Sequence, residues 1–275
     1  MRVAIASDIH GNRHAFEAVI DAAQEAQVAE LWCLGDLVGY GADPDACVAL
    51  AEANCAICLA GNHDLAVVES LSLEDFSRGA ALAEAECAII LAGNHDLAVV
   101  DVLSLEDFSR GAALAAQWTI DVIRPETREF LLTLSAEGEA EGIGLYHASP
   151  RDPIWEYVLS GLTAELCLDA APQRVSLIGH SHVALSFNRP EGEPASGSTR
   201  RAGDLLDIGT GEWLLNPGST GQPRDGDPRA AWLILDTEAW TAEWRRSDYD
   251  LAGAQAAIRA ARLPDSLAER LQYGQ

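Results

Sequence analysis

Five short polar clusters carry the side chains that could do chemistry: Asp8-Ile9-His10, Gly35-Asp36, Gly61-Asn62-His63-Asp64, His147 and Gly179-His180-Ser181-His182. Carboxylate, amide oxygen and imidazole together are ligands for Mn, Fe, Zn, Co or Ni; a closed structural zinc site would be built on thiolates instead. A single Asp-x-His or His-x-His pair carries little weight, because a histidine more often serves structure than a metal. Five such clusters, each just past an apolar run, make a metal site the reading of this chain.

The elements that must position these residues follow from the apolar runs. Residues 3–6 precede Asp8, 31–34 precede Asp36, 56–59 precede Asn62, 143–146 precede His147 and 175–178 precede His180. The runs alternate with helix-period segments, a pattern that favours a mainly parallel sheet with crossover helices. Each cluster then falls at the carboxyl end of a strand, where open α/β sheets gather their ligand-binding loops. On such a strand end Asp8 and His10 share a face by the period-two rule, as do His180 and His182. Phe16, Val19, Ile20 and Ala23 recur at helical spacing and mark the first crossover helix. From about Val183 the texture turns β-rich, which predicts a second, more antiparallel sheet there. Residues 190–203 read as an exposed loop, and Leu251, Ala254, Ile258 and Ala261 as a closing helix.

Composition sets outer bounds. A chain of 275 residues is long enough for a single domain over residues 1–275. Its apolar stretches fall well short of the roughly 18 residues of a membrane span, and its start reads as a strand, so a cytoplasmic protein without membrane attachment is expected. A formal charge of -25 repels nucleic acid and anionic lipid from the surface as a whole, while a local metal site could still attract a small phosphorylated molecule. Oligomeric state is left open. The six cysteines form no disulfide framework, and Cys55-x-x-Cys58, on an apparent strand without a second pair, reads as core packing.

One feature breaks the pattern. Residues 49–83 are repeated almost without change at 81–115, an offset of 32, which duplicates Gly-Asn-His-Asp at Gly93-Asn94-His95-Asp96. Two near-identical copies inside an α/β chain do not make a solenoid, which needs at least three units. A recent duplication is the simpler reading, and only one copy can occupy one ligand position.

The ordered set Asp-x-His, Gly-Asp, Gly-Asn-His-Asp, His, Gly-His-x-His resembles the calcineurin-like metallophosphoesterase superfamily. Further stretches, 35–41, 147–157 and 216–226, resemble a bacterial and archaeal branch of small phosphodiesterase-like members. The resemblance spans nearly the whole chain, and the repeat is its one departure. It implies a four-layer α/β/β/α sandwich with two divalent metals at its strand ends. Manganese is first among the candidates, with iron, zinc, nickel, cobalt or magnesium as alternatives.

By that resemblance Asp8, His10, Asp36 and His182 hold one metal, and Asp36, Asn62, His147 and His180 hold the other. A water between the metals, acidified to hydroxide, attacks a phosphodiester or phosphomonoester. His63 acts as general acid, with Asp64 orienting it. Asn94 and His95 replace Asn62 and His63 if the second copy forms the site. Asn62 follows Asp36 at the family-like interval, which favours the first copy. Arg151 and Arg224 are candidate phosphate contacts, and Asn12, Tyr40, Ser219 and Gln222 candidate pocket residues, although ion pairing and turn formation explain these about as well. Two other functions remain in view. A noncatalytic scaffold on the same fold would lack the histidine of Gly-Asn-His, which is present here. A protein serine/threonine phosphatase would carry an Arg-rich continuation after this motif, where this chain has Leu65-Ala66-Val67.

Overall fold

The computed structural model describes residues 1–68 and 111–275, with 105–110 as backbone of a helix only. Strands β1 (Arg2–Ala6), β2 (Glu30–Cys33) and β3 (Ile57–Cys58) run parallel, linked by helices α1 (Arg13–Glu25) and α2 (Pro44–Asn54). Helix α3 (Asn62–Val67) follows, then α4 (Leu105–Val122) and α5 (Pro125–Leu131). The hairpin β4 (Glu137–Ala140) and β5 (Ile143–Tyr146) comes next, then α6 (Gly161–Ala170) and β6 (Val175–Leu177). The remainder holds β7 (Ala184–Arg189), β8 (Ser196–Thr199), β9 (Leu205–Asp207), β10 (Glu212–Pro217), β11 (Ala230–Asp236) and β12 (Thr241–Ser247), closed by α7 (Leu251–Ala260) and α8 (Asp265–Glu269).

The strands form two six-stranded sheets, ordered β3-β2-β1-β11-β12-β9 and β4-β5-β6-β10-β7-β8. Period-two alternation divides their side chains. On β1, Val3 and Ile5 face the other sheet, where they meet Leu145, Leu177 and Leu215, while Ala4 and Ala6 face Phe16, Val19 and Ile20 of α1. The second sheet buries its outer face, including Phe187 and Leu214, under Ala164, Cys167 and Leu168 of α6. Helix, sheet, sheet and helix thus make the four expected layers, with one core between the sheets and another between each sheet and its helices. The described cysteines are free thiols, and Cys33, Cys47 and Cys167 are buried. Among the described residues no helix is long and apolar enough to cross a membrane.

Two expectations are corrected. The strands after Val183 do not make a sheet of their own. β11, β12 and β9 extend the first sheet from the free edge of β1, and β7, β8 and β10 complete the second beside β6. The apolar runs specify that these strands exist, but pairing partners depend on long-range edges that local patterning does not encode. The 190–203 loop also contains β8, a fully exposed edge strand of Ser, Gly and Thr paired with β7, whose composition carries no strand signal.

Candidate metal centre

Where the strands end, the backbone bends sharply. Asp8, His10, Asp36, Tyr40, His180 and His182 all have φ between 50° and 65°. Left-handed backbone is uncommon for residues other than glycine and persists where the surroundings enforce it, and such strain concentrates at functional sites. Asp8 and His10 therefore do not converge through strand periodicity, as expected from sequence; β1 has already ended at Ala6, and successive left-handed turns aim both side chains inward. Gly35, at φ 102°, starts the turn that presents Asp36. At Gly61 a Cβ would overlap the Asp36 carboxylate, so only glycine lets α3 approach that closely.

The side chains these turns deliver form two adjoining groups, Asp8, His10, Asp36 and His182, and Asp36, His147 and His180, whose ligand atoms lie within 4.8 Å of one another in each. Asp36 belongs to both. Its Oδ2 is 3.6 Å from His10 Nε2 and 3.6 Å from His147 Nε2. Its Oδ1 accepts the His63 N–H at 2.9 Å, which fixes the carboxylate plane. Asn62 joins the second group, with Oδ1 3.1 Å from His147 Nε2. Asp8 Oδ1 lies 3.5 Å from His182 Nε2, and its Oδ2 accepts the His180 N–H at 3.2 Å.

Tautomers can be read from the outer hydrogen bonds. Nδ1 of His10, His182 and His147 faces the carbonyls of Val38 (3.2 Å), Gln222 (2.6 Å) and Leu34 (2.9 Å). A carbonyl only accepts, so each Nδ1 carries the proton and each Nε2 presents a lone pair. Yet His10 Nε2 and His182 Nε2 face each other at 2.9 Å, and the buried Nε2 of His180 and Oδ1 of Asp8 have no hydrogen-bond partner. Lone pairs brought this close repel unless a cation lies among them. The residues present thus fit divalent metal ions, and the carbonyl contacts are the outer bonds that orient metal-binding histidines.

Protonation agrees with this. Burial, first of all, holds His10, His63, His180 and His182 well below the ordinary imidazole value and lowers His147 to about 4. The rings are neutral at neutral pH, the form that binds a metal. Burial raises Asp8 to about 7 and Asp36 well above the carboxylate range, Asp36 also through the charges of Asp64 and Asp8. Bound cations would reverse those shifts.

The other expected residues have distinct places. His63, 3 % exposed, packs its ring against Tyr40 and His10 at centroid distances of 4.4 and 4.7 Å. Asp64 accepts the N–H groups of Leu37, Val38 and Gly61, pinning the Asp36 loop to α3. Arg224, Tyr40 and His63 line a small cavity together with Asp36, Asn62 and His180. Arg151 does not line it; it is exposed and pairs with Glu156 at 3.2 Å. Asn12 caps α1 through Ala15 N–H and ties Gly221 O, a structural task. Ser219 binds the Asp8 carbonyl, and Gln222 Oε1 accepts from Arg224. Tyr157 was missed as a pocket residue: its ring lies 3.9 Å from that of His180 and it lines the cavity, but no spacing marked it. Asn94 and His95 lie outside the described residues.

Comparison with known proteins adds to this geometry. Residues 1–239 match the model of the calcineurin-like phosphoesterase superfamily domain. An uncharacterized protein of Methanocaldococcus jannaschii is 33% identical, with 99% of this chain and 98% of that protein covered. The crystal structure of a metallophosphoesterase from Sphaerobacter thermophilus is 33% identical with TM-score 0.80, covering 100% of this chain and 99% of that one. The crystal structure of a hypothetical protein from Pyrococcus horikoshii, 18% identical with TM-score 0.70, covers 100% and 98% and shares the fold.

Proposed function

This chain belongs to the calcineurin-like phosphoesterase superfamily, and from that premise we propose that it hydrolyses phosphoric esters with two divalent metal ions in the Asp/His/Asn cage, manganese being the first candidate. The observation that carries the reading is the convergence of imidazole lone pairs and carboxylate oxygens on two adjoining points that share Asp36 Oδ2. When bound, such ions acidify a water for attack and neutralise charge on the phosphoryl group.

The chain's own residues supply the rest. Asp8, His10, Asp36 and His182 would hold one ion, and Asp36, Asn62, His147 and His180 the other. The outer bonds to Val38, Leu34 and Gln222 keep the ring tautomers in place. His63, carried beside Asn62 and steadied by its backbone bond to Asp36, presents its ring in the cavity. There it donates a hydrogen bond, and finally a proton, to the leaving oxygen. Negative charge on the entering phosphoryl group favours the imidazolium form that this transfer needs. Arg224 lies on the same wall as a cationic contact. The first copy of the repeat thereby serves the site.

The test is hydrolysis of an aryl phosphate and a bis-aryl phosphate by purified protein supplied with Mn²⁺. Turnover that is lost on chelation and restored by metal is expected. Absence of turnover with any divalent ion, in protein that binds metal, would favour the noncatalytic scaffold.

A further inference from the structure

Three of the cage imidazoles, His10, His147 and His182, are anchored through Nδ1 to the carbonyls of Val38, Leu34 and Gln222. The fourth, His180, is held by a different loop. Its ring hydrogen-bonds to the Trp155 carbonyl, and because its Nε2 has no hydrogen-bond partner, the donor is Nδ1–H. The Tyr157 ring packs on the same imidazole, 3.9 Å between centroids. Edge and face of His180 are therefore both set by residues 155–157. These lie in the loop that leaves His147, the other imidazole grouped with His180 and Asp36.

Loops are ordinarily mobile, and a ligand is aimed precisely only where its support is itself fixed. This loop is fixed by side chains that have no other part in the site. Asp152 Oδ1 accepts the N–H groups of Ile154 at 3.0 Å and Trp155 at 3.1 Å, an aspartate-capped turn immediately before the carbonyl that meets His180. Buried Ser149 accepts the N–H groups of Arg151 and Asp152 and donates its hydroxyl to Glu156 Oε2 at 2.6 Å. Glu156 also accepts the Cys167 thiol of α6 at 3.3 Å and pairs with Arg151. Two backbone bonds, Ala148 N–H to Pro153 O and Ser149 N–H to Asp152 O, close the loop on itself. Trp155 is thus held before its carbonyl by Asp152 and after it by Glu156. Building on the two-metal reading, we propose that Asp152 is a positioning residue for the metal position formed by Asp36, Asn62, His147 and His180: through the Trp155 carbonyl it fixes the tautomer and aim of His180, with Ser149 and Glu156 completing the clamp. The other position, which takes its outer bonds from Val38 and Gln222, is independent of it.

The test compares wild-type, Asp152→Ala, Asp152→Asn, His180→Ala and the double variant Asp152→Ala/His180→Ala, each checked for an unchanged far-ultraviolet spectrum. Two readouts are taken, neither of which needs turnover. One is calorimetric titration of Mn²⁺ into chelator-stripped protein. The other is the His180 tautomer in metal-free protein, read by NMR of nitrogen-labelled histidine. Asp152→Ala should weaken one of the two Mn²⁺ affinities by about 10- to 100-fold, as for loss of an outer bond to a metal-binding histidine, and leave the other unchanged. Its His180 should change from the Nδ1–H form to a mixture of tautomers. Asp152→Asn should recover most of the affinity and the single tautomer, because its amide oxygen accepts the same two N–H groups. In the His180→Ala background, Asp152→Ala should weaken Mn²⁺ binding no further. Additive losses, equal weakening at both positions, or an unchanged tautomer in Asp152→Ala would overturn the proposal. Should Asp152→Ala not fold, Glu156→Gln decides in its place: it weakens the Ser149 bond at constant shape, so a smaller loss confined to one position supports the clamp and no loss overturns it. If wild type binds no Mn²⁺, the metal reading fails, and the tautomer still decides the loop's role: dependence on Asp152 supports it, independence overturns it.

Discussion

The inter-sheet core and the metal cage are built on the same strands, are equally buried, and obey opposite physics. Ile5, Leu145 and Leu177 between the sheets are at 0 % exposure, as are Asp8 and His147 just past the ends of β1 and β5. In the core, each apolar side chain removed from water stabilises the fold by roughly 1.5–3 kcal/mol. In the cage, burial works against charge: it drives imidazoles neutral, drives carboxyls toward protonation, and holds six residues in left-handed backbone. Stability accumulated in one region supports a strained, lone-pair-rich arrangement in the other.

That contrast can be broken most strongly at Asp36. Asp36→Asn keeps shape and removes the shared ligand charge, so kcat for an aryl phosphate is expected to fall by more than about 10³-fold with the melting temperature unchanged or raised. Equal loss of activity and stability would erase the distinction between the regions. Next comes His63→Ala, expected to lower kcat by roughly 10²-fold while Mn²⁺ binding persists, as for a positioned proton donor. The paired change His95→Ala in the second copy should leave kcat unaltered; the reverse pattern would transfer the site to that copy.

The core has the opposite signature. Leu145→Ala should cost about 2–5 kcal/mol by opening a cavity, seen as a lowered melting temperature, with kcat below that temperature nearly intact.

The cage was largely legible in sequence because residue type and order alone mark it: Asp8, His10, Asp36, Asn62, His147, His180 and His182 each follow an apolar run, and the structure brings all seven together. The means of convergence was not legible. The left-handed turns at Asp8 and His10 replace the expected strand periodicity, since backbone strain is imposed by tertiary contacts that local propensity does not report. Tyr157 was invisible for a related reason, because a ring meets His180 through the path of a loop rather than through spacing. Interleaving of β9, β11 and β12 with the first sheet likewise depends on edge pairing.

A smaller effect sharpens the contrast through pH. In metal-free protein the imidazoles of His10, His63, His147, His180 and His182 have lowered folded values, so their contribution is present above about pH 6.5 and is lost as the pH falls. Asp8, Asp36 and Asp64 are raised, Asp8 to about 7 and Asp64 to about 6, and act in the opposite sense over the same window. The imidazoles outnumber the carboxyls, so the melting temperature of the chelated protein should fall between pH 6.5 and 5. A flat or rising profile there would show that burial in the cage does not govern its protonation.

The most direct measurement is calorimetric titration of Mn²⁺ into chelator-stripped protein, wild type beside Asp36→Asn. Two ions bound per wild-type chain, with affinity sharply weakened at both positions by the loss of the shared Asp36 carboxylate, is the expected result. No saturable binding by the folded wild-type chain, or binding indifferent to Asp36→Asn, would contradict the account.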